Sequence, residues 1–254
     1  IQGGAQSPPA PTPPPQPPTL QKVRDTGVIT LAHRESSSPF SFFDQNKRPV
    51  GYALDLCMKV VEGLRRELKL PGLRVEYLAV SAAQRIPSIV DGKADLECGN
   101  TTNTAARRKQ VAFTVTHYFA GGRLLVRSDA KIKRLSDIGS RTVVVNAGST
   151  HAQYLDTALA KGLFKGRKLE VKDSDAAFAE LDAGRAAAYL HDDIVLFALR
   201  ANTKEPQQWD VVGEFTTVEP LAIMLRRNDP DFKKFVDLVL SRAMVDGEVN
   251  TAYR

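Results

Sequence analysis

The residues with the clearest chemical potential are arginines close to predicted turns. Arginine binds a carboxylate well because its planar guanidinium offers two parallel N–H donors. Arg107 follows a turn of small polar residues, Asn100 to Asn103, and Thr104 could cap the helix predicted to carry it. A helix start adds free backbone N–H donors, so this segment could bind an anion. The residues alone favour the alternative, in which the three adjacent basic residues from Arg107 to Lys109 form a solvated surface.

A second segment and an acidic residue could complete such a site. The segment from Asn146 to Thr150 leads from a predicted strand into a predicted helix, and its small residues would let the backbone approach a ligand. Ser149 or Thr150 could also be an ordinary helix cap. Asp192 follows the apolar strand 186–190, where it could be the N-terminal cap of the next helix.

The order of strands and helices brings these candidate residues together. Apolar strands are predicted at 28–32, 75–78 and 94–98, with helices at 51–68 and 86–90 between them. Alternating strands and helices form a mostly parallel sheet with covered faces, and ligands of such sheets bind at the carboxyl ends of the strands. The fold class is therefore α/β, with the polar residues at one edge of the sheet.

The alternation then begins again, which indicates a second unit. Strands are predicted at 122–127 and 142–146, followed by a helix that starts at Ser149. After further alternation, a late strand at 219–226 and a helix at 231–245 suggest that the chain returns to its first unit. Two crossovers between two lobes would create a hinged cleft.

Composition excludes several classes of function. The 43% hydrophobic content of 254 residues is enough to bury a full core. The net charge of +6 does not indicate nucleic-acid binding, because the basic residues are scattered among 29 acidic ones without stacking aromatics. No stretch approaches the roughly 18 apolar residues that span a bilayer. The four histidines lie in no recognisable catalytic or metal motif, so we predict no enzyme, no metal site and no cofactor.

The two cysteines allow two interpretations. Cys57 and Cys98 have no metal or redox spacing. They could form one disulfide in an oxidising compartment, or they could be two buried core thiols. Their predicted positions, on a helix and on a strand, favour buried thiols.

The N-terminal segment differs from the rest of the chain. Its first 18 residues contain eight prolines, too many for a helix or a central strand. Residues 1–19 are therefore predicted to be a disordered, extended segment. It could act as a tether to a membrane, or it could be a leader without a function of its own.

At the level of motifs, residues 20–254 resemble family 3 of the bacterial extracellular solute-binding proteins, and within it the glutamate/aspartate-binding proteins of polar amino-acid ABC importers. The matching segments are His33 to Ser37, Pro39 to Ser41, Gly51-Tyr52 with Asp55, Gln84 to Pro87, Glu97 to Asn103, and Gly184-Arg185 with Asp192-Asp193. The resemblance implies a two-lobe periplasmic-binding-protein fold of type II, with two hinge crossovers and the ligand cleft between the lobes. It implies lobe 1 at 20–116 and 217–254, and lobe 2 at 117–216.

The resemblance also assigns roles in the binding of an amino acid. Arg107 and Thr102 match residues that bind the α-carboxylate, Asp192 matches the residue that binds the ammonium, and Arg34 with Arg85 would bind an acidic side chain. The full set of expected ligand-binding residues is Arg34, Arg85, Asn100, Thr102, Arg107, Asn146, Ser149, Thr150, Ser174 and Asp192.

Two departures from the pattern of the glutamate/aspartate-binding members of this family affect specificity. Ala82 stands where those members carry Ser, and Ser174 stands where they carry His. The preference among glutamate, aspartate and their amides is therefore left open.

The function implied by the resemblance is capture of glutamate or aspartate by lobe closure. The chain would be a monomer in the periplasm or another extracytoplasmic compartment, where its N-terminus could tether it to the membrane, and would deliver its ligand to ABC permease subunits. Two alternatives are a sensor domain for the same amino acids and a binder of glutamine or asparagine.

Overall fold

A computed structural model describes residues 16–247. Its helices are α1 (Thr19–Thr26), α2 (Tyr52–Glu67), α3 (Arg85–Val90), α4 (Thr150–Ala160), α5 (Ser174–Asp182), α6 (Asp193–Ala201) and α7 (Pro230–Val245). Its strands are β1 (Val28–His33), β2 (Ser36–Ser37), β3 (Ser41–Phe43), β4 (Pro49–Val50), β5 (Arg74–Ala79), β6 (Leu96–Cys98), β7 (Val111–Arg127), β8 (Thr142–Asn146), β9 (Arg167–Val171), β10 (Ala188–Asp192), β11 (Trp209–Val212) and β12 (Val218–Arg226). None of the helices in this part of the chain combines the length and the apolar character needed to cross a bilayer.

Nine strands form one continuous sheet in the order β5-β1-β6-β12-β7-β10-β8-β9, with β11 also paired to β7. The pairs on the two flanks are parallel, whereas β7 and β12 pair with their neighbours in antiparallel fashion. The sheet is therefore mixed at its centre rather than mostly parallel, because β7 and β12 run in opposite directions between the two flanks. Strands β2, β3 and β4 form a separate small sheet.

Strand β7 connects the two halves of the molecule. Its first part pairs with β12, and its last part, from Gly122 onwards, pairs with β10 and β11. At the crossover the returning segment passes close to two glycines: a Cβ at Gly121 would overlap the ring of Phe215, and one at Gly122 would overlap the hydroxyl of Thr216. Glycine suits both positions because side chains of the returning segment occupy the space that a Cβ would fill.

Each half buries a set of apolar residues, and Val195 of α6 joins the main cluster of the first half. The largest cluster includes Leu56, Val60 and Leu64 of α2, whose helical spacing places them on one face against the sheet. Helix α7 contributes Phe232 and Val236 to the same cluster, so the C-terminal helix packs on the first half. Separate clusters in the second half are built from residues between 124 and 212.

The interpretation of the cysteines as free thiols was wrong. Cys57 of α2 and Cys98 of β6 form a disulfide, with their Cα atoms 6.3 Å apart. Both side chains are fully buried. The packing of α2 across β6 brings together two cysteines that are 41 residues apart, and the local pattern around each residue contains no information on that distance.

Most of the predicted proline-rich tether lies outside the described residues, which begin at Gln16. The end of that segment is ordered by contacts with the first half: Arg226 donates hydrogen bonds to the side-chain oxygen of Gln16 (2.8 Å) and to the carbonyl of Pro17 (2.6 Å). Helix α1 begins at Thr19, whose hydroxyl donates to Asp229. These contacts hold residues 16–19 against the first half, and the boundary at residue 19 stays a prediction.

Candidate functional site

A narrow polar cavity lies between the two halves, at the carboxyl ends of β1, β6, β8 and β10. Its walls are formed by Arg34, Ala82, Arg85, Asn100, Thr102, Asn146, Ser149, Thr150, His151, His191 and Asp192. Eight of the ten ligand-binding residues expected from sequence are in this set. The other two, Arg107 and Ser174, are not among the lining residues but are hydrogen-bonded next to them.

Two arginines of the first half are almost completely buried in the cavity wall. Arg34 follows β1 and Arg85 begins α3, and their exposed fractions are 2% and 4%. The Nη1 of Arg34 donates to Asn100 Oδ1 at 3.4 Å, and the Nη1 of Arg85 donates to Thr101 Oγ1 at 3.1 Å. Within the described residues, Arg34 Nη2 and Arg85 Nε have no hydrogen-bond partner. Such buried donors are costly unless a ligand accepts from them.

The charges of these arginines are unfavourable in the absence of a ligand. Burial lowers the pKa of Arg34 to about 10, and the nearby charge of Arg85 contributes to this shift. Burial also lowers the pKa of Arg85, although Glu97, Asp192 and Glu219 oppose the shift. A carboxylate placed between the two guanidinium groups would offset both the loss of hydration and their mutual repulsion.

Asp192 is the acidic group of the cavity. His151 Nε2 lies 2.9 Å from its Oδ1, and Asn100 Nδ2 donates to its Oδ2 at 2.9 Å. Burial raises the pKa of Asp192, but the hydrogen bonds from His151 and Asn100 and the charges of His151 and His191 outweigh it and hold the pKa at about 2. Asp192 precedes α6 but makes no side-chain capping bond. Its carboxylate therefore faces the cavity groups and is suited to pair with an ammonium.

Arg107 contacts both halves next to the cavity. It lies in a single 3₁₀ turn, Arg107–Lys109, so the expected α-helix is reduced to one turn. Its Nη1 donates to the carbonyl of Thr102 at 2.9 Å, and its Nη2 donates to the carbonyl of Gly148 at 3.2 Å. Burial, together with the charge of Arg85, lowers the pKa of Arg107 to about 9. Arg107 is thus positioned between the turn of the first half and the loop before α4.

Ser149 is the N-terminal cap of α4, as one of the two interpretations of the sequence predicted. Its hydroxyl accepts a hydrogen bond from the backbone N–H of Ala152 at 3.1 Å. Ser149 also lines the cavity, so the cap and the cavity wall coincide. The N-terminus of α4 therefore points towards the cavity, where its dipole favours an anion.

Ser174 reaches the cavity through two other residues. Its hydroxyl lies 3.0 Å from the hydroxyl of Tyr189, which donates to Asn146 Oδ1 at 3.1 Å. Tyr189 is fully buried, and this burial raises its pKa. Ser174 thus orders Asn146 through Tyr189 and does not itself line the cavity.

Sequence reasoning did not assign His151 and His191, which line the cavity, or Tyr189 and Glu219, which are hydrogen-bonded to residues that line it. His151 directly follows Thr150, and Tyr189 and His191 share one face of β10 by the two-residue period of a strand. Adjacency to expected site residues was the available signal, but it does not distinguish a cavity wall from a core. Burial lowers the pKa of His191 to about 3, so this imidazole is neutral near pH 7.

One cluster in the cavity has the donor types of a metal site. The ligand atoms of His151, His191 and Asp192 lie within 4.8 Å of one another. These groups are already hydrogen-bonded: His151 to Asp192, and His191 Nδ1 to the backbone N–H of Asp192 at 2.6 Å. The positive charges of Arg34 and Arg85 act on His191 and would oppose the entry of a cation.

The fold and the cavity together define a protein that encloses a small polar ligand between two α/β lobes. The family model of bacterial extracellular solute-binding proteins, family 3, matches residues 29–254, and the chain belongs to this family. The family expected from the sequence motifs is therefore confirmed.

Curated relatives and solved structures resemble most of the chain. The L-glutamate/L-aspartate-binding protein of Pseudomonas aeruginosa is 40% identical over 92% of this chain and 78% of the relative. The glutamate/aspartate import solute-binding protein of Salmonella typhimurium is 38% identical over 91% and 76%. An ancestral arginine-binding protein bound to glutamine, known from its structure, is 28% identical over 89% of this chain and 96% of that chain, with a TM-score of 0.78. The two-lobe type II periplasmic-binding-protein fold is confirmed.

Proposed function

We propose that the chain is the solute-binding protein of an ABC importer and captures glutamate or aspartate between its lobes. The observation that carries this proposal is the pair of buried arginines, Arg34 and Arg85, which line the same cavity as Asp192 and each have a buried nitrogen without a hydrogen-bond partner among the described residues. The names of the Pseudomonas and Salmonella relatives support the same ligands.

Three groups of an acidic amino acid require three kinds of partner. Arg34 and Arg85 would bind the side-chain carboxylate, because each has a buried donor left to give. Asp192 would bind the ammonium, since a carboxylate can accept more than the two hydrogen bonds it has here. The α-carboxylate would lie between Thr102 with Arg107 and the start of α4, at Ser149 and Thr150.

Charge explains why an acid would be preferred to its amide. The repulsion between Arg34 and Arg85 contributes to the low pKa of Arg34. A carboxylate between them offsets this repulsion, whereas an amide carries no charge and leaves it in place. Glutamine and asparagine would therefore bind more weakly than the corresponding acids.

The lobe boundaries follow the same proposal. Lobe 1 would comprise residues 20–116 and 217–254, and lobe 2 residues 117–216, with crossovers near 114–122 and 213–222. The clusters built from residues 124–212 are separate from the main cluster of the first half and support these limits, although that main cluster also includes Ala120 and Val195 from the range of lobe 2. Residues 248–254 lie outside the described part of the chain. A ligand that contacts both lobes would stabilise the closed state by its higher affinity for that state.

The setting of the protein belongs to the same proposal. Family membership indicates an extracellular or periplasmic solute-binding protein. We infer that the chain acts as a monomer, delivers its ligand to permease subunits without turning it over, and is held near the membrane by its N-terminal segment.

A thermal-shift screen over the twenty amino acids tests the ligand class, because a bound ligand raises the melting temperature by mass action. We expect the largest shifts with glutamate and aspartate. Calorimetry with glutamate, aspartate, glutamine and asparagine then ranks acids against matched amides. Equal affinity for glutamate and glutamine would contradict the role of the arginine pair, and the absence of any shift with either acid would refute the proposed function.

A further inference from the structure

A buried carboxylate on the returning strand joins the two halves at the cavity. Glu219 belongs to β12, and its exposed fraction is 1%. Its Oε2 accepts a hydrogen bond from the hydroxyl of Thr102 and a second one from the hydroxyl of Thr150 at 2.9 Å. Thr102 belongs to the first half, whereas Thr150 is the first residue of α4 in the second half. One oxygen atom therefore contacts both walls of the cavity.

These hydrogen bonds depend on the arrangement of the two halves. A hydroxyl has a single proton to donate, and an ionised carboxylate only accepts, so both threonine protons are directed at Glu219. Hydrogen bonds to a charged group are among the stronger ones in proteins, particularly in a buried site. If the halves separate, the link from Thr150 through Glu219 to Thr102 must break.

The charge of Glu219 also reaches the arginines of the cavity. Its carboxylate raises the pKa of Arg107 and that of Arg85, in opposition to the effect of burial. Glu219 therefore stabilises the cationic forms that a carboxylate ligand requires. Removal of its charge would leave these guanidinium groups less well compensated.

We propose that Glu219 is a positioning residue that clamps the closed state, by holding Thr102 and Thr150 on opposite sides of the cavity when the lobes meet. The inference rests on the proposed function, because the clamp acts on closure around an amino acid. The contact stabilises only the closed arrangement, so its loss speeds ligand release more than it slows capture.

Two other roles for Glu219 give different results. A carboxylate that merely competes with the ligand for the two hydroxyls would weaken binding, so that its removal would raise affinity. A carboxylate that only supports the local structure of β12 would change the stability of the ligand-free protein and leave the rate of ligand release unaltered.

The experiment compares Glu219→Gln with Glu214→Gln in the full chain, using L-glutamate as the probe. Glu214 is exposed in the same returning segment, so the control makes the same chemical change away from the cavity. Stopped-flow binding, with thermal unfolding of the ligand-free proteins as a folding check, gives the rates. We expect Glu219→Gln to raise Kd about 10-fold or more, mainly through faster release, and Glu214→Gln to bind like the wild type.

A double-mutant cycle with Thr150→Val tests the coupling between the two side chains. If they act as one clamp, the double variant releases glutamate little faster than the more affected single variant. Fully additive effects, an unchanged release rate or tighter binding by Glu219→Gln would overturn the proposal. Small-angle scattering gives a second readout, since glutamate at saturation should compact Glu219→Gln less than the wild type. A wild type that binds neither acidic amino acid refutes the proposed function itself.

Discussion

Replacement of Arg34 by methionine is expected to change stability and binding in opposite directions. The guanidinium is fully buried, its Nη2 has no partner among the described residues, and its remaining hydrogen bond to Asn100 is 3.4 Å long. Its pKa lies near 10 instead of 12.5, which corresponds to roughly 3 kcal/mol of unfavourable free energy for the charged form in the folded state. Arg34 is charged in both states near pH 7, so this cost lowers the stability of the ligand-free protein.

Arg34→Met keeps the length of the side chain and removes its charge. We expect the unfolding free energy of the ligand-free protein to rise by about 1–3 kcal/mol, with the figure from the pKa as an upper limit. Glutamate should bind about 10- to 100-fold more weakly, because a charge-assisted hydrogen bond is lost. The loss for glutamine should be much smaller, since an amide does not require a cation.

The assay is urea unfolding without ligand together with calorimetry for glutamate and glutamine. Arg24→Met provides the matched control, because Arg24 is exposed on α1 and lies outside the cavity. A ligand-free Arg34→Met protein that is less stable than the wild type would show that Arg34 is a structural residue. Equal losses of affinity for glutamate and glutamine would show that Arg34 does not bind the side-chain carboxylate of the ligand.

Three further predictions concern the α-carboxylate, pH and the disulfide. Arg107→Ala should abolish binding of acidic and neutral amino acids alike in calorimetry, because every amino acid presents the same carboxylate. Burial lowers the pKa of His117 from 6.5 to about 4. As the pH falls from 6.5 towards 4, the unfolded chain takes up a proton on this imidazole and the folded protein does not, so the folded state loses stability. Between pH 7 and pH 5, the free energy of unfolding of His117→Leu should therefore fall by about 2 kcal/mol less than that of the wild type, as measured by urea unfolding. The double change Cys57→Ala and Cys98→Ala should lower the unfolding free energy by about 2–4 kcal/mol, given the 41-residue separation. A reductant should lower the unfolding free energy of the wild type and leave that of the double variant unchanged.

Local pattern in the sequence was sufficient for the regular elements. The apolar spacing of α2, the strands β1, β5 and β8, and the return through β12 and α7 all appear where hydrophobic periodicity predicts them. Such elements are predictable because burial of one face is a local property of each segment. The first part of β7 and the short strands β2, β3, β4 and β11 were not predicted, since their formation depends on partners far along the chain.

The types of the site residues could also be predicted from the sequence, because arginine binds the carboxylate of a ligand and an acidic residue binds its ammonium. The contacts among these residues could not be predicted from the sequence. Asn100 and Asp192 are 92 residues apart in the chain, Thr102 and Glu219 are 117 apart, and Cys57 and Cys98 are 41 apart. Each pair meets because the sheet and its crossovers place one strand end or helix against another, and the free energy of that packing is spread over whole clusters of buried residues. Local periodicity specifies which face of an element is buried, whereas the identity of the group opposite it depends on how the two halves come together.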